Sequence, residues 1–131
     1  MKTDEAIKTD IFKFIKGSDL QKAVTGKVSK RKRPHNSDKE DIVISVLANV
    51  NGQIQVATVN VNIYVADITV DNQPEENTVR IEELSEMAVT LFDEFYGEEY
   101  TLRLLSQRVF EAEGTREHII NNKLEYKLTN E

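Results

Sequence analysis

The chain has 131 residues, 39% of them hydrophobic and 31% charged, with a formal net charge of −6 and no cysteine. That length suits one domain with one core, and the apolar content is too high for a disordered chain. The lack of cysteine excludes a disulfide framework, a thiolate zinc site and a cysteine nucleophile together. The start, Met1-Lys2-Thr3-Asp4-Glu5, puts acids where a signal peptide needs a basic region and an apolar run, and no run is long enough to cross a membrane. The expectation is therefore a soluble intracellular domain spanning 1–131. Its charge is uneven: residues 1–39 hold eleven Lys/Arg against five Asp/Glu, and residues 75–99 hold nine acids against one Arg.

In chain order, Ile7, Ile11, Phe14 and Ile15 make one apolar stripe and predict a helix from about Asp4 to Lys16, capped by Thr3 or Asp4 and ended by Gly17. Ser18-Asp19-Leu20-Gln21 has a capping-box pattern and predicts a second, short helix stopped by Gly26. Lys27–Arg33 reads as a short strand or extended arm ending at Pro34, followed by a loop over 35–39. Asn51-Gly52 between two β-rich runs predicts a hairpin of about Asp41–Val50 and Gln53–Val65. A two-residue turn there would pair Ile42 with Val61, Ile44 with Val59 and Val46 with Ala57 on one apolar face. At the tip, Leu47 would pair with Val56 beside Ile54, leaving an apolar patch on the second face. That patch is either covered by the first helix or the termini, or it is an interface.

Residues 67–77 read as a linker. A main helix is expected from about Thr78 to Tyr96, with Ile81, Leu84, Ala88, Leu91, Phe92 and Phe95 buried, an acidic outer face including Glu82, Glu83 and Glu86, and a stop at Gly97. Two strands, about Tyr100–Glu111 and Arg116–Leu128, turn at Gly114. Strands grouped between helices argue for an α+β fold: a mainly antiparallel sheet with helices on one face.

No catalytic or cofactor chemistry emerges. His35 and His118 lack metal-ligand spacing, Ser45 and Ser106 stand in strands without a motif, and the five glycines do not cluster into a phosphate loop. The carboxylates of the main helix fall on its solvent face, where nothing would shift their pKa. The sharpest local feature is the basic run Lys30-Arg31-Lys32-Arg33. It reads as a solvated loop, a contact to nucleic-acid phosphates, or an arm reaching the acidic helix of another subunit.

The segment G-x-V-…-R-x-R-P-x-x-S-x-x-E-D-I-V-I, Gly26 through Ile44, is followed by N-G-Q-I-Q-x-A-T-V-N-V-N-I-Y-V, Asn51 through Val65. With its helix before and its helix and two strands after, this resembles the tail-terminator (tail-completion) proteins of tailed bacteriophages and prophages. The resemblance implies a structural virion protein without catalytic residues, cofactor or metal. It implies a ring, usually sixfold, that caps the tail tube and joins it to the head. Its partners would be further copies of itself, the tail tube protein and a head-completion protein, with DNA passing through unread. It would reside in the bacterial cytoplasm during assembly and then in the virion. The expected interface residues are Lys30, Arg31, Lys32 and Arg33, the tip residues Leu47, Ile54 and Val56, and Glu82, Glu83 and Glu86. The alternatives are another neck connector (head-closure or adaptor) and a nucleic-acid-binding or regulatory module using Lys30–Arg33.

Overall fold

The computed structural model describes residues 1–129. Helix α1 spans Asp4–Ile15. The Thr3 side chain caps it by accepting from the Ala6 N–H, and Ile7, Ile11 and Ile15 are buried. Helix α2 spans Asp19–Ala23, with the Ser18 hydroxyl accepting from the Gln21 N–H. Strand β1 is only Val28–Ser29, so most of the extended segment expected over 27–33 is irregular. Strands β2 (Ile42–Val50) and β3 (Val56–Ala66) form the first long hairpin. Strands β4 (Ile68–Val70) and β5 (Gln73–Glu75) form a small separate one. Helix α3 covers Thr78–Phe92, β6 Glu94–Tyr96, β7 Tyr100–Ala112 and β8 Glu117–Leu128.

The fold is mixed α and β, with a six-stranded sheet in the order β1-β2-β3-β8-β7-β6. Every pairing in it is antiparallel except β1 with β2. Alternation along the central strands decides what is inside. Ala57, Val59, Val61, Ile63 and Val65 of β3, with Ile120, Leu124, Tyr126 and Leu128 of β8, join buried residues of all three helices in one core. The other parity is polar: Thr58, Asn60, Asn62, Asn121, Lys123 and Glu125 are half-buried on the back of the sheet.

Three expectations are corrected. The first hairpin does not turn on Asn51-Gly52. Ile42 pairs with Ile63, Ile44 with Val61 and Val46 with Val59, two residues from the expected register; a bulge at Leu47 then shifts the tip, so that Val50 pairs with Val56. A shift of two preserves parity, so the apolar face survives the error. The cause is Gln55, fully buried. Its amide donates to the Lys2 carbonyl and to Asn49 Oδ1, both at 2.7 Å, and its Oε1 accepts from the Lys2 N–H at 2.8 Å. This clamp holds residues 51–55 as a five-residue loop.

The second correction is that the main helix ends at Phe92, not Tyr96. Phe95 sits in β6 instead, its ring centroid 4.8 Å from that of Phe14 and 5.6 Å from that of Tyr100. Gly97 is thus a turn residue between β6 and β7, its N–H donating to the Tyr100 carbonyl. The third is that the linker over 67–77 contains the β4–β5 hairpin. Asp71 (φ 50°) and Asn72 (φ 63°) take left-handed conformations, as a two-residue type I′ turn requires.

Candidate subunit interface

The Gly26–Ile44 segment folds around one carboxylate. Asp41 is 1% exposed. It accepts from the Lys27 N–H at 2.9 Å, the Ser37 hydroxyl at 2.5 Å and Arg33 Nε at 2.9 Å. Burial pushes the Asp41 pKa up, but the hydrogen bonds from Ser37, Lys27 and Arg33 outweigh it and hold the carboxyl below its usual value. Gly26 belongs to the same knot, because a Cβ there would collide with the Asp41 carboxylate and the Glu40 carbonyl. Glu40 in turn chelates Arg80 of α3 with distances of 2.6 and 2.7 Å. The residues Gly26, Arg33, Ser37, Glu40 and Asp41 that carry the family-like pattern are therefore joined as a structural unit.

Arg33 consequently leaves the solvated run. Its Nη1 donates to Glu117 Oε1 at 2.7 Å, its Nη2 to the Lys39 carbonyl at 2.9 Å, and its guanidinium carbon lies 4.2 Å from the Tyr64 ring centroid. The side chain spans β2, β3 and β8 at the back of the sheet. Arg31 and Lys32 remain exposed, and Lys30 is half-buried with its Nζ donating to Thr9 Oγ1 of α1. The free basic residues thus lie beside β1 and α1.

The acidic residues Glu82, Glu83 and Glu86 are all exposed on α3, which packs over β7 and β8 rather than β2. Between α2 and α3 lies a cleft of about 570 Å³. Leu20, Met87 and Leu91 form its more buried lining, and the exposed Asp19, Glu83 and Glu86 stand around it. An apolar floor with a carboxylate rim suits the methylene stem and charged head of a Lys or Arg side chain.

At the hairpin tip Leu47 is 60% and Ile54 52% exposed, while Val56 is half-buried. The first helix does not cover this patch. The N-terminus meets only its polar side, through Asn49 and Gln55. The structure adds Val50, also exposed, to the patch. The basic run departs beside Val43, seven residues from the end of β2 at Val50. At the usual strand rise that is roughly 20 Å, so basic run and tip are separate surfaces.

Sequence reasoning missed a further exposed apolar region, Leu105, Val109 and Phe110 on β7. Its signal was present: Val109-Phe110 puts apolar side chains on both faces of one strand, which a one-sided sheet does not need. Among the described residues no helix is long and apolar enough to cross a membrane. No family model matches the chain, and no curated protein matches it significantly.

Proposed function

We propose that this chain is a ring-forming structural subunit of a phage-like particle, of the tail-terminator kind, which caps a tail tube and presents its other face to the head. The observation that carries the self-assembly part is the separation of opposite charges onto different surfaces. Lys30, Arg31 and Lys32 lie beside α1 and β1, and Glu82, Glu83 and Glu86 lie on α3 over the β7–β8 half of the sheet. Complementary, non-identical patches suit head-to-tail contacts, which close into rings when the rotation allows. The acid-rimmed cleft between α2 and α3 is the receptor this reading assigns to the bases of the next subunit. The virion role itself rests on the resemblance over Gly26–Ile44 and Asn51–Val65, supported by the way the first of these segments folds as a unit.

Size-exclusion chromatography with light scattering, at micromolar and near-millimolar concentration, tests it. A mass of six subunits, or a monomer moving towards one, is expected. A strict monomer at both concentrations, with no binding to purified tail tubes, overturns it.

A further inference from the structure

We propose that the β4–β5 hairpin is a docking arm that adds its β4 strand to the open outer edge of β7 on a second copy of this chain. This deepens the self-assembly reading above and rests on it. All residues from Ile68 to Glu76 are exposed. The root of the arm is fixed: the Asp67 N–H donates to the Arg116 carbonyl at 2.9 Å, and Asp67 Oδ1 lies 2.7 Å from His118 Nδ1. Beyond that root the two strands have substantial contact only with each other. A lone two-stranded hairpin is marginal in water, yet Ile68-Thr69-Val70 is a run of β-branched residues with Ile68 and Val70 exposed.

The arm is asymmetric in what it can pair with. The two-residue turn makes Val70–Gln73 the closing hydrogen-bonded pair, so Thr69–Pro74 is a non-hydrogen-bonded pair. The backbone groups of Thr69 therefore point outward from β4. On β5 the outward position is Pro74, which has no N–H to give. Proline protects a sheet edge in this way, so β4 is the side left able to pair.

The acceptor follows from the main sheet. On β7, β6 pairs only with Thr101–Arg103, and a bulge at Leu105 follows. From Ser106 to Ala112 no described strand pairs with the outer edge. This stretch has no proline and no further bulge, and Val109 and Phe110 are exposed. An edge of that length and character invites pairing unless something covers it.

The two surfaces also match in kind. Ile68, Val70 and Glu75 share one face of the arm, since Ile68 pairs with Glu75. Phe110 and Arg108 share one face of β7, while Glu111 lies on the other with Val109. Setting the first face beside the second brings Ile68 and Val70 of β4 against Phe110 and the methylene stem of Arg108. Arm and edge are different surfaces, so the contact is head-to-tail, as a ring needs.

The absence of cysteine gives a clean test. In this pairing Thr69 falls on the same side as Val109. Directly opposed Cβ atoms on paired strands are about 4.5–5.5 Å apart, close enough for a disulfide with slight adjustment. Thr69→Cys and Val109→Cys chains would be prepared separately, mixed and oxidised, with Gln107→Cys and Glu111→Cys covering neighbouring registers. The expected result is a disulfide-linked pair of one chain of each kind, several-fold above either chain alone. It should be lost when Ile68→Asp and Val70→Asp are added to the Thr69→Cys chain; both positions are exposed, so the fold should tolerate them. No cross-link in any register, with wild-type protein multimeric by light scattering, overturns the arm and leaves self-assembly standing. No cross-link with wild-type protein monomeric throughout overturns both.

Discussion

Arg33 shows how one side chain changes meaning between sequence and structure. In the sequence it is the last of four consecutive bases; in the fold it is the bolt between Asp41 and Glu117, stacked on Tyr64. Removing one partner of a buried ion pair leaves the other charge uncompensated, at a cost of about 3–5 kcal/mol. Arg33→Ala should therefore lower the urea midpoint sharply, while Lys32→Ala, one residue away and exposed, should stay within about 0.5 kcal/mol of wild type. Equal effects would refute the distinction. The same knot sets the acid response. The Asp41 carboxyl is held below its ordinary value of 3.8, so its stabilisation is complete above that pH and is lost as the pH falls below it. Arg33→Ala removes one of the holding donors, and stability should then fall less steeply between pH 4 and lower values.

At the scale of elements, the dividing line is whether the deciding interaction is local. Helix α1 was legible because cap, stripe and stop all lie within Thr3–Gly17. The β7–β8 hairpin was legible because Gly114 takes the left-handed φ of 76° that its turn needs. The first hairpin was not, because its register is set by Gln55 reaching Lys2, a contact 53 residues apart in sequence. Strand β6 was missed because Phe95 fits helical spacing equally well, and only Phe14 and Tyr100 place it. The arm was missed because Pro74 reads as a breaker, although Asp71-Asn72 after Ile-Thr-Val is a turn signal. Most of the candidate interface was visible as residue types, but which bases stay free was not, since that depends on the fold around Asp41. A test separates the two hairpin geometries. Gly52 has no positive φ, and a Cβ there would meet only the Ile54 carbonyl at 3.7 Å. Gly52→Ala should shift stability by less than about 0.5 kcal/mol. A type I′ turn on Asn51-Gly52 would instead make it cost about 1 kcal/mol or more.

For the whole molecule, the proposed assembly has to bring together copies with a net charge of −6. Uniformly spread, that charge would keep them apart. Concentrated as bases beside α1 and acids on α3, it favours one orientation, bases of one copy against acids of the next. Attraction between exposed charges is screened over about 8 Å at physiological ionic strength, so the solution mass should fall as salt is raised. Salt alone does not identify the residues; charge reversal does. Lys30→Glu, Arg31→Glu and Lys32→Glu in one chain, or Glu82→Lys, Glu83→Lys and Glu86→Lys in another, should each abolish self-association by placing like charges together. None of the six is buried, and the closest ion pair among them, Arg80 with Glu83 at 3.4 Å, is partly exposed. The fold should therefore survive both changes. Mixing the two variants matches both kinds of contact between unlike chains: acids on the former basic surface of one face the bases on α3 of the other, and the unchanged bases of the second face the unchanged acids of the first. The equimolar mixture should therefore recover the wild-type mass by light scattering, with the two chains alternating around a ring of even subunit number, while each variant alone stays monomeric. If both variants assemble as wild type does, these patches do not meet, and any ring must be held by the arm and the apolar hairpin tip alone.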